Sequence, residues 1–183
     1  KAHFVEVTTV AKKSASAQIL ETRIIPPLKK PWIHLALSVS RYQVMDAIVE
    51  KAVEMGVHSI HPFYSDFSFI KSSLPAGKLE RWEKIVISAT QQSGRGELLK
   101  IHPPQALEKL LGQINQNGRQ LGLFAYEGEA SQDIASYLRS KKAALPETLD
   151  ELWLIVGSEG GFSQTEVQSL GEAGLDSVTI GEQ

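Results

Sequence analysis

ELWLIVGSEGGFSQTE, from Glu151 to Glu166, is the stretch whose reading decides the fold. Leu152-Trp153-Leu154-Ile155-Val156 is short and continuously apolar, as expected of a parallel strand covered on both faces. Ser163, followed three residues later by Glu166, has capping-box spacing, so a helix is expected to start near Ser163. Between strand and helix, Gly157, Gly160 and Gly161 allow positive φ and leave the main chain bare, open to direct contact with a ligand. The same glycines also suit an ordinary left-handed turn of any α/β protein.

Neither the Walker spacing nor the dinucleotide pattern of spaced glycines is present in this corner. Glu159 would repel a phosphate but suits a ligand with positive charge, or one read through adenine and ribose hydrogen bonds. S-adenosylmethionine, with its sulfonium and amine, fits that description.

At 183 residues, 42% hydrophobic and 22% charged, the composition is that of a globular protein with core enough for one α/β domain. No apolar run approaches the roughly 20 residues of a spanning helix, and no signal-peptide core opens the chain; a cytoplasmic location and no membrane partner are expected. There are no cysteines, which excludes disulfides and thiolate zinc sites. Of the histidines only His58 and His61 are close in sequence, flanking an expected strand, and no metal is expected there. The net charge of −2 argues against a uniformly basic nucleic-acid binder, so local groups matter: Lys29-Lys30, Arg81 with Lys84, Lys100 and Lys141-Lys142.

From Ile33 onward short apolar runs alternate with helical periodicity. Strands are expected at 35–39, 57–63, 98–101, 121–126, 152–156 and 177–180. Helices are expected at 42–55, with Gly56 as C′ residue, at 78–92, from Pro103-Pro104 to Leu111, at 131–142 and at 163–173. Trp82, Met45 and Met55 are expected in the core. The fold class is therefore α/β, a parallel sheet with helices on both faces.

Residues 1 to about 25 do not share this rhythm. Phe4, Val5 and Val7, then Ala17, Ile19 and Leu20, predict two short strands, and Pro26-Pro27 with Lys29-Lys30-Pro31 a stiff linker. So short a segment cannot bury its own core, and residues 1–30 are expected to be a domain remnant with its linker, before a main domain at 31–183. The last strand ends at Ile180-Gly181-Glu182-Gln183 with no closing helix, so the main domain is expected to be incomplete at its C-terminus.

Three separated motifs carry a resemblance. Glu50-Lys51-Ala52-Val53-Glu54-Met55-Gly56-Val57 is similar to a K-x-x-E-L-G-V segment. Arg81-Trp82-Glu83-Lys84-Ile85 with Ala89-Thr90-Gln91-Gln92-Ser93-Gly94-Arg95 resembles an R-W-x-K-I and E-Q-S-G-R pair, and Gly157-Ser158-Glu159-Gly160-Gly161-Phe162-Ser163 a G-P-E-G-G-F-S corner. In this order they resemble the small-subunit ribosomal RNA uridine-N3 methyltransferases of the SPOUT superfamily, over roughly residues 33–181.

That resemblance implies a trefoil-knotted α/β domain, S-adenosylmethionine as methyl donor, small-subunit (16S) ribosomal RNA as substrate, a homodimer, and an N-terminal PUA-like β-barrel of which residues 1–25 would be the remnant. By position it implies donor contacts at Phe124, Ala125, Tyr126, Gly157, Ser158, Glu159, Gly160, Gly161, Ile180 and Gly181. Catalytic roles fall to Arg95, a cation for the developing negative charge on uracil or else a phosphate anchor or surface charge, and to Glu159, as base or orienting group where burial raises its pKa or else as a cap of backbone amides in the turn. Gln91 and Gln92 would read the base or finish their helix. Ser158 stands where the family has proline, and the L-R-x-E-T-A continuation is missing after Gly181. These departures motivate an alternative, a noncatalytic RNA-binding or ribosome-assembly module on the same fold.

Overall fold

The structure, a computed structural model, describes residues 1–71, 73–114, 119–128, 132–141 and 149–180. Its elements in chain order are β1 (Ala2–Val10), β2 (Ala15–Arg23), β3 (Trp32–Ser38), α1 (Tyr42–Glu54), β4 (Ser59–Tyr64), α2 (Lys78–Ser93), β5 (Lys100–Ile101), β6 (Gln105–Ala106), α3 (Leu107–Leu111), β7 (Gln120–Ala125), α4 (Ile134–Lys141), β8 (Glu151–Val156), α5 (Gln164–Glu172) and β9 (Asp176–Val178).

β3 to β9 form one sheet in the order β5-β4-β3-β8-β7-β9, with β6 also on β4, and every pairing is parallel. Alternation along the strands sends side chains to opposite faces. On one face Ala36, Phe124, Trp153 and Ile155 pack with Leu107 and Leu110 of α3 and Leu170 of α5. On the other, Leu37 and Ile60 meet Met45, Val49 and Val53 of α1 and Trp82 and Val86 of α2, while Leu121, Leu123 and Val178 meet Tyr137 of α4. Helices thus cover both faces, as the apolar strands require.

Because all strands run the same way, their C-terminal ends share one edge. After β8 the chain passes over β7, through α5, to place β9 outside β7. Its continuation lies against residues 132–134: Thr179 N–H donates to the Gln132 carbonyl and Ile134 N–H to the Thr179 carbonyl, at 3.1 and 3.0 Å.

Several expectations shift in detail. Met55 is not core: it follows the last turn of α1 and is 78% exposed, whereas Met45 and Trp82 are fully buried. Gly56, at φ 79°, ends that helix as expected. The helix expected from Pro103 begins only at Leu107, because Gln105–Ala106 pairs with β4 first. The ends of the helix expected at 131–142 fall outside the described residues; within them α4 starts at Ile134, and Asp133 Oδ1 accepts from the amides of Ala135 and Ser136 at 3.0 Å.

β1 and β2 pair antiparallel in their own two-stranded sheet, nine residues each, and every residue of both is exposed. The segment after them is tied down: Lys30 Nζ bonds Asp150 Oδ1 at 2.7 Å and stands over the Trp32 ring. No helix among the described residues is long and apolar enough to cross a membrane.

Candidate functional site

At the shared C-terminal edge, the ends of β7, β8 and β9 enclose a pocket of about 780 Å³, lined by Ala125, Tyr126 and Glu127, by Val156 to Ser158 and Gly160 to Phe162, and by Thr179 and Ile180. That is ample room for a nucleoside-sized ligand. The wall is built by the turn after β8. Gly161 N–H donates to the Ser158 carbonyl at 2.9 Å, and the Ser158 hydroxyl donates back to the Gly161 carbonyl at 3.2 Å. The serine therefore braces the corner that a proline would stiffen by its ring.

Two glycines are required here for different reasons. Gly161 adopts φ 74°, which L side chains rarely take. At Gly157 a Cβ would stand 3.0 Å from the Gly161 carbonyl oxygen and 3.1 Å from the Phe162 ring. Of the three corner glycines, all of which allow positive φ, Gly161 adopts it.

The corner is anchored from below by Ser163 and Glu166, which form the expected capping box. Glu166 is buried, at 7% exposure, and its two oxygens accept from the amides of Ser163 and Asp66, each at 2.9 Å. The Ser163 hydroxyl donates to Asp66 Oδ2 at 2.5 Å. One carboxylate thus joins the start of α5 to the loop after β4. Glu166→Ala should leave two amides short of an acceptor, costing about 2–3 kcal/mol in denaturant unfolding. An unchanged midpoint would show that water satisfies those amides.

Seven of the expected donor residues line the pocket: Ala125, Tyr126, Gly157, Ser158, Gly160, Gly161 and Ile180. Phe124 does not. As a strand residue next to Ala125 it points to the other face, buried in the core with its ring 6.1 Å from that of Phe162. Glu159 is exposed at the tip of the turn, so the burial that the base role called for is not there. Gly181 lies outside the described residues. Sequence reasoning missed Glu127, Val156, Phe162 and Thr179, each a direct neighbour of a nominated residue and brought in by the curl of the chain at a strand end.

Arg95 is not brought to this pocket within the chain. It follows α2 at the opposite edge of the sheet, where Nη1 donates to the Val53 carbonyl at 3.4 Å. Its Nε and Nη2 are shielded from solvent without a hydrogen-bond partner, and burial lowers its pKa from the usual arginine value.

That opposite edge holds an unforeseen cluster. His58 and His61 are joined by His34 and His102, with Trp32 and Trp153 stacked among them. His34 Nδ1 and His61 Nε2 share the Ser59 hydroxyl at 2.6 and 2.7 Å. The register that sets His34 opposite both Ser59 and Trp153 assembles it, and no local motif announces that. Among the described residues, no group of three or more His, Asp or Glu is placed to hold a metal ion.

A family model described as "RNA methyltransferase domain" matches residues 27–183. Among relatives, the chain is 33% identical to Ribosomal RNA small subunit methyltransferase E of Aquifex aeolicus (strain VF5), covering 98% of this chain and 73% of the relative. It is likewise 33% identical to the protein of that name from Mesomycoplasma hyopneumoniae (strain 232), over 80% of this chain and 60% of the relative. The same-named protein of Neisseria gonorrhoeae, crystallised bound to S-adenosyl methionine, superposes with a TM-score of 0.83 at 28% identity, over 99% of this chain and 71% of that one.

Proposed function

The chain belongs to the RNA methyltransferase domain family, and from that premise we propose that it transfers a methyl group from S-adenosylmethionine to N3 of a uridine in small-subunit (16S) ribosomal RNA, working in the cytoplasm as a homodimer. The observation that carries the reading is the bare main chain at Gly157, Gly160 and Gly161 on one wall of the strand-end pocket.

The residues present fit that donor. A side chain at Gly157 would fill the cradle, the pocket has the size of an adenosine with its amino-acid arm, and Glu127 and Glu159 place negative charge beside it, suiting a cation. Ala125, Tyr126, the 157–161 turn and Ile180-Gly181 would hold it. The donor supplies an electrophilic methyl on sulfonium.

The protein's share is to position the base and to stabilise charge. Uracil N3 must lose its proton before its electron pair attacks carbon, and the negative charge then spreads over the two ring carbonyls. We assign Glu159 to attracting and orienting the cationic donor and substrate at the rim, and Arg95 to the charge on uracil or on a neighbouring phosphate. Since Arg95 lies at the far edge of its own chain, its role requires a partner subunit, so that role and the homodimer stand together. The domain reading is proposed with them: 31–183 as a SPOUT domain closing in a trefoil knot, and 1–30 as part of a PUA-like β domain with its linker. The noncatalytic alternative loses one of its grounds, because the Ser158 hydroxyl restores the turn.

Labelled donor, this protein and small ribosomal subunits from a strain lacking the modification test the proposal. Label at one uridine, with reverse transcription halted there because the N3 methyl removes a Watson–Crick donor, is the expected result. No transfer under conditions where the donor binds would refute it. Arg95→Ala should cut kcat by about a hundredfold with donor affinity unchanged; equal loss of both would mean Arg95 has been given the wrong task.

A further inference from the structure

Apart from Asp66, the loop after β4, Ser65-Asp66-Phe67-Ser68-Phe69, enters none of the roles assigned above, yet it holds two large aromatic rings in solvent. Phe67 is 53% exposed and Phe69 73% exposed. Exposed phenylalanine on a floppy loop would mean little; this loop is fixed at both ends of its turn.

The hydroxyl of Ser38, the last residue of β3, meets those of Ser65 and Ser68 at 2.7 and 2.6 Å, and all three serines are buried. Ser65 N–H donates to Ser68 Oγ at 2.7 Å, and Ser68 N–H to the Ser65 carbonyl at 3.0 Å. Between them, Asp66 is held by Glu166 and Ser163. Anchored this way, Phe67 lies against the glycine corner: its Cβ is 3.2 Å from where a side chain on Gly160 would begin.

β3 lies between β4 and β8 in the sheet, so the loop after β4, the start of α1 and the pocket wall form one continuous rim. That rim is basic as well as aromatic. The Arg41 guanidinium stands 5.2 Å from the centre of the Phe69 ring, Lys78 Nζ stands 4.5 Å from that of Tyr42, and Lys71, close to Phe69 in sequence, is exposed.

We infer that Phe67 and Phe69, with Arg41, form a stacking platform that receives unpaired bases of the RNA strand and leads the target base into the adjoining pocket. The inference rests on the methyltransferase reading above. A base in a duplex cannot present N3, because pairing occupies it, so the substrate must be splayed or single-stranded at the target. Aromatic faces accept any unpaired base, and a guanidinium stacked on such a ring keeps its N–H groups free for phosphate. A ring held against the glycine corner, with a second one following it on the same loop, suits such a substrate.

The test compares Phe69→Ala, Phe69→Leu and Phe69→Trp, and the same three changes at Phe67, in methyl transfer to small subunits and in calorimetric binding of S-adenosylmethionine. The Ala and Leu variants should raise KM for RNA about ten- to a hundredfold with donor affinity unchanged, and Trp should retain the wild-type KM. The Trp variants also report directly: oligouridylate should quench their fluorescence, whereas vesicles of phosphatidylcholine and phosphatidylglycerol should not. Leu variants as good as wild type, or a response to vesicles and not to oligouridylate, would overturn the platform. Quenching with no transfer by the wild-type protein would instead overturn the enzymatic reading and leave the platform standing.

Discussion

Lowering the pH from 7 to 5 should remove about 4 kcal/mol of folding stability through two histidines alone. Burial, with cationic or histidine neighbours adding to it, pushes His34 down to about 4 and His61 down to about 3; Glu151, 3.6 Å from His34 Nε2, offsets part of the effect on that ring. An unfolded histidine titrates near 6.5. Between 6.5 and these folded values the unfolded chain binds more protons, so stability is full above about 6.5 and falls as the pH drops, by roughly 1.4 kcal/mol per unit for each ring. Hydrogen bonding acts in the same direction. The single Ser59 proton can satisfy one neighbouring ring nitrogen as acceptor while the other ring donates to its oxygen; with both rings charged both donate to that oxygen, and the Ser59 proton loses its acceptor. Against a total of about 5–15 kcal/mol, such a loss is large. Denaturant unfolding from pH 7 to 5 measures it, and His61→Gln should reduce the slope by about half. A slope near zero in the unsubstituted protein would mean that water reaches these rings.

Gly157→Val should weaken binding of the methyl donor by about a hundredfold, the equivalent of about 2.7 kcal/mol, while the fold survives. A Cβ at this position is already 3.0 Å from the Gly161 carbonyl oxygen and 3.1 Å from the carbonyl carbon. Those atoms cannot retreat freely, since the turn is closed by both the Gly161 amide and the Ser158 hydroxyl. Two further methyl groups would force the turn open and intrude on the pocket proposed for the donor, with an overpacking cost of about 1–3 kcal/mol in stability. Calorimetry with S-adenosylmethionine reads the affinity, and circular dichroism checks that secondary structure is kept. Ser158→Ala is the milder companion, removing one hydrogen bond without adding volume, and should cost less than tenfold. Wild-type affinity in Gly157→Val would place the donor elsewhere.

How much of this was legible beforehand differs between fold and site. Strand-forming runs such as Leu152 to Val156 and helix faces such as Met45, Val49 and Ala52 declare themselves, because periodicity and burial are local properties. The capping box at Ser163 and Glu166 was equally plain, and both of its hydrogen bonds form. Met55 misled because helical spacing cannot tell the last turn of a helix from its buried middle. Phe124 misled because membership of a strand leading to a pocket does not say which face its side chain takes.

The sequence by itself determined that a parallel α/β sheet would carry a glycine corner, since apolar period, cap spacing and glycine placement act over a few residues. Only the tertiary structure decided that Asp66 and Glu166, a hundred positions apart, share one carboxylate clamp, that Arg95 stands across the sheet from Gly157, and that His34 joins His61 through Ser59. Those relations depend on strand order and register, which arise from packing of the whole sheet and leave no mark on neighbouring residues.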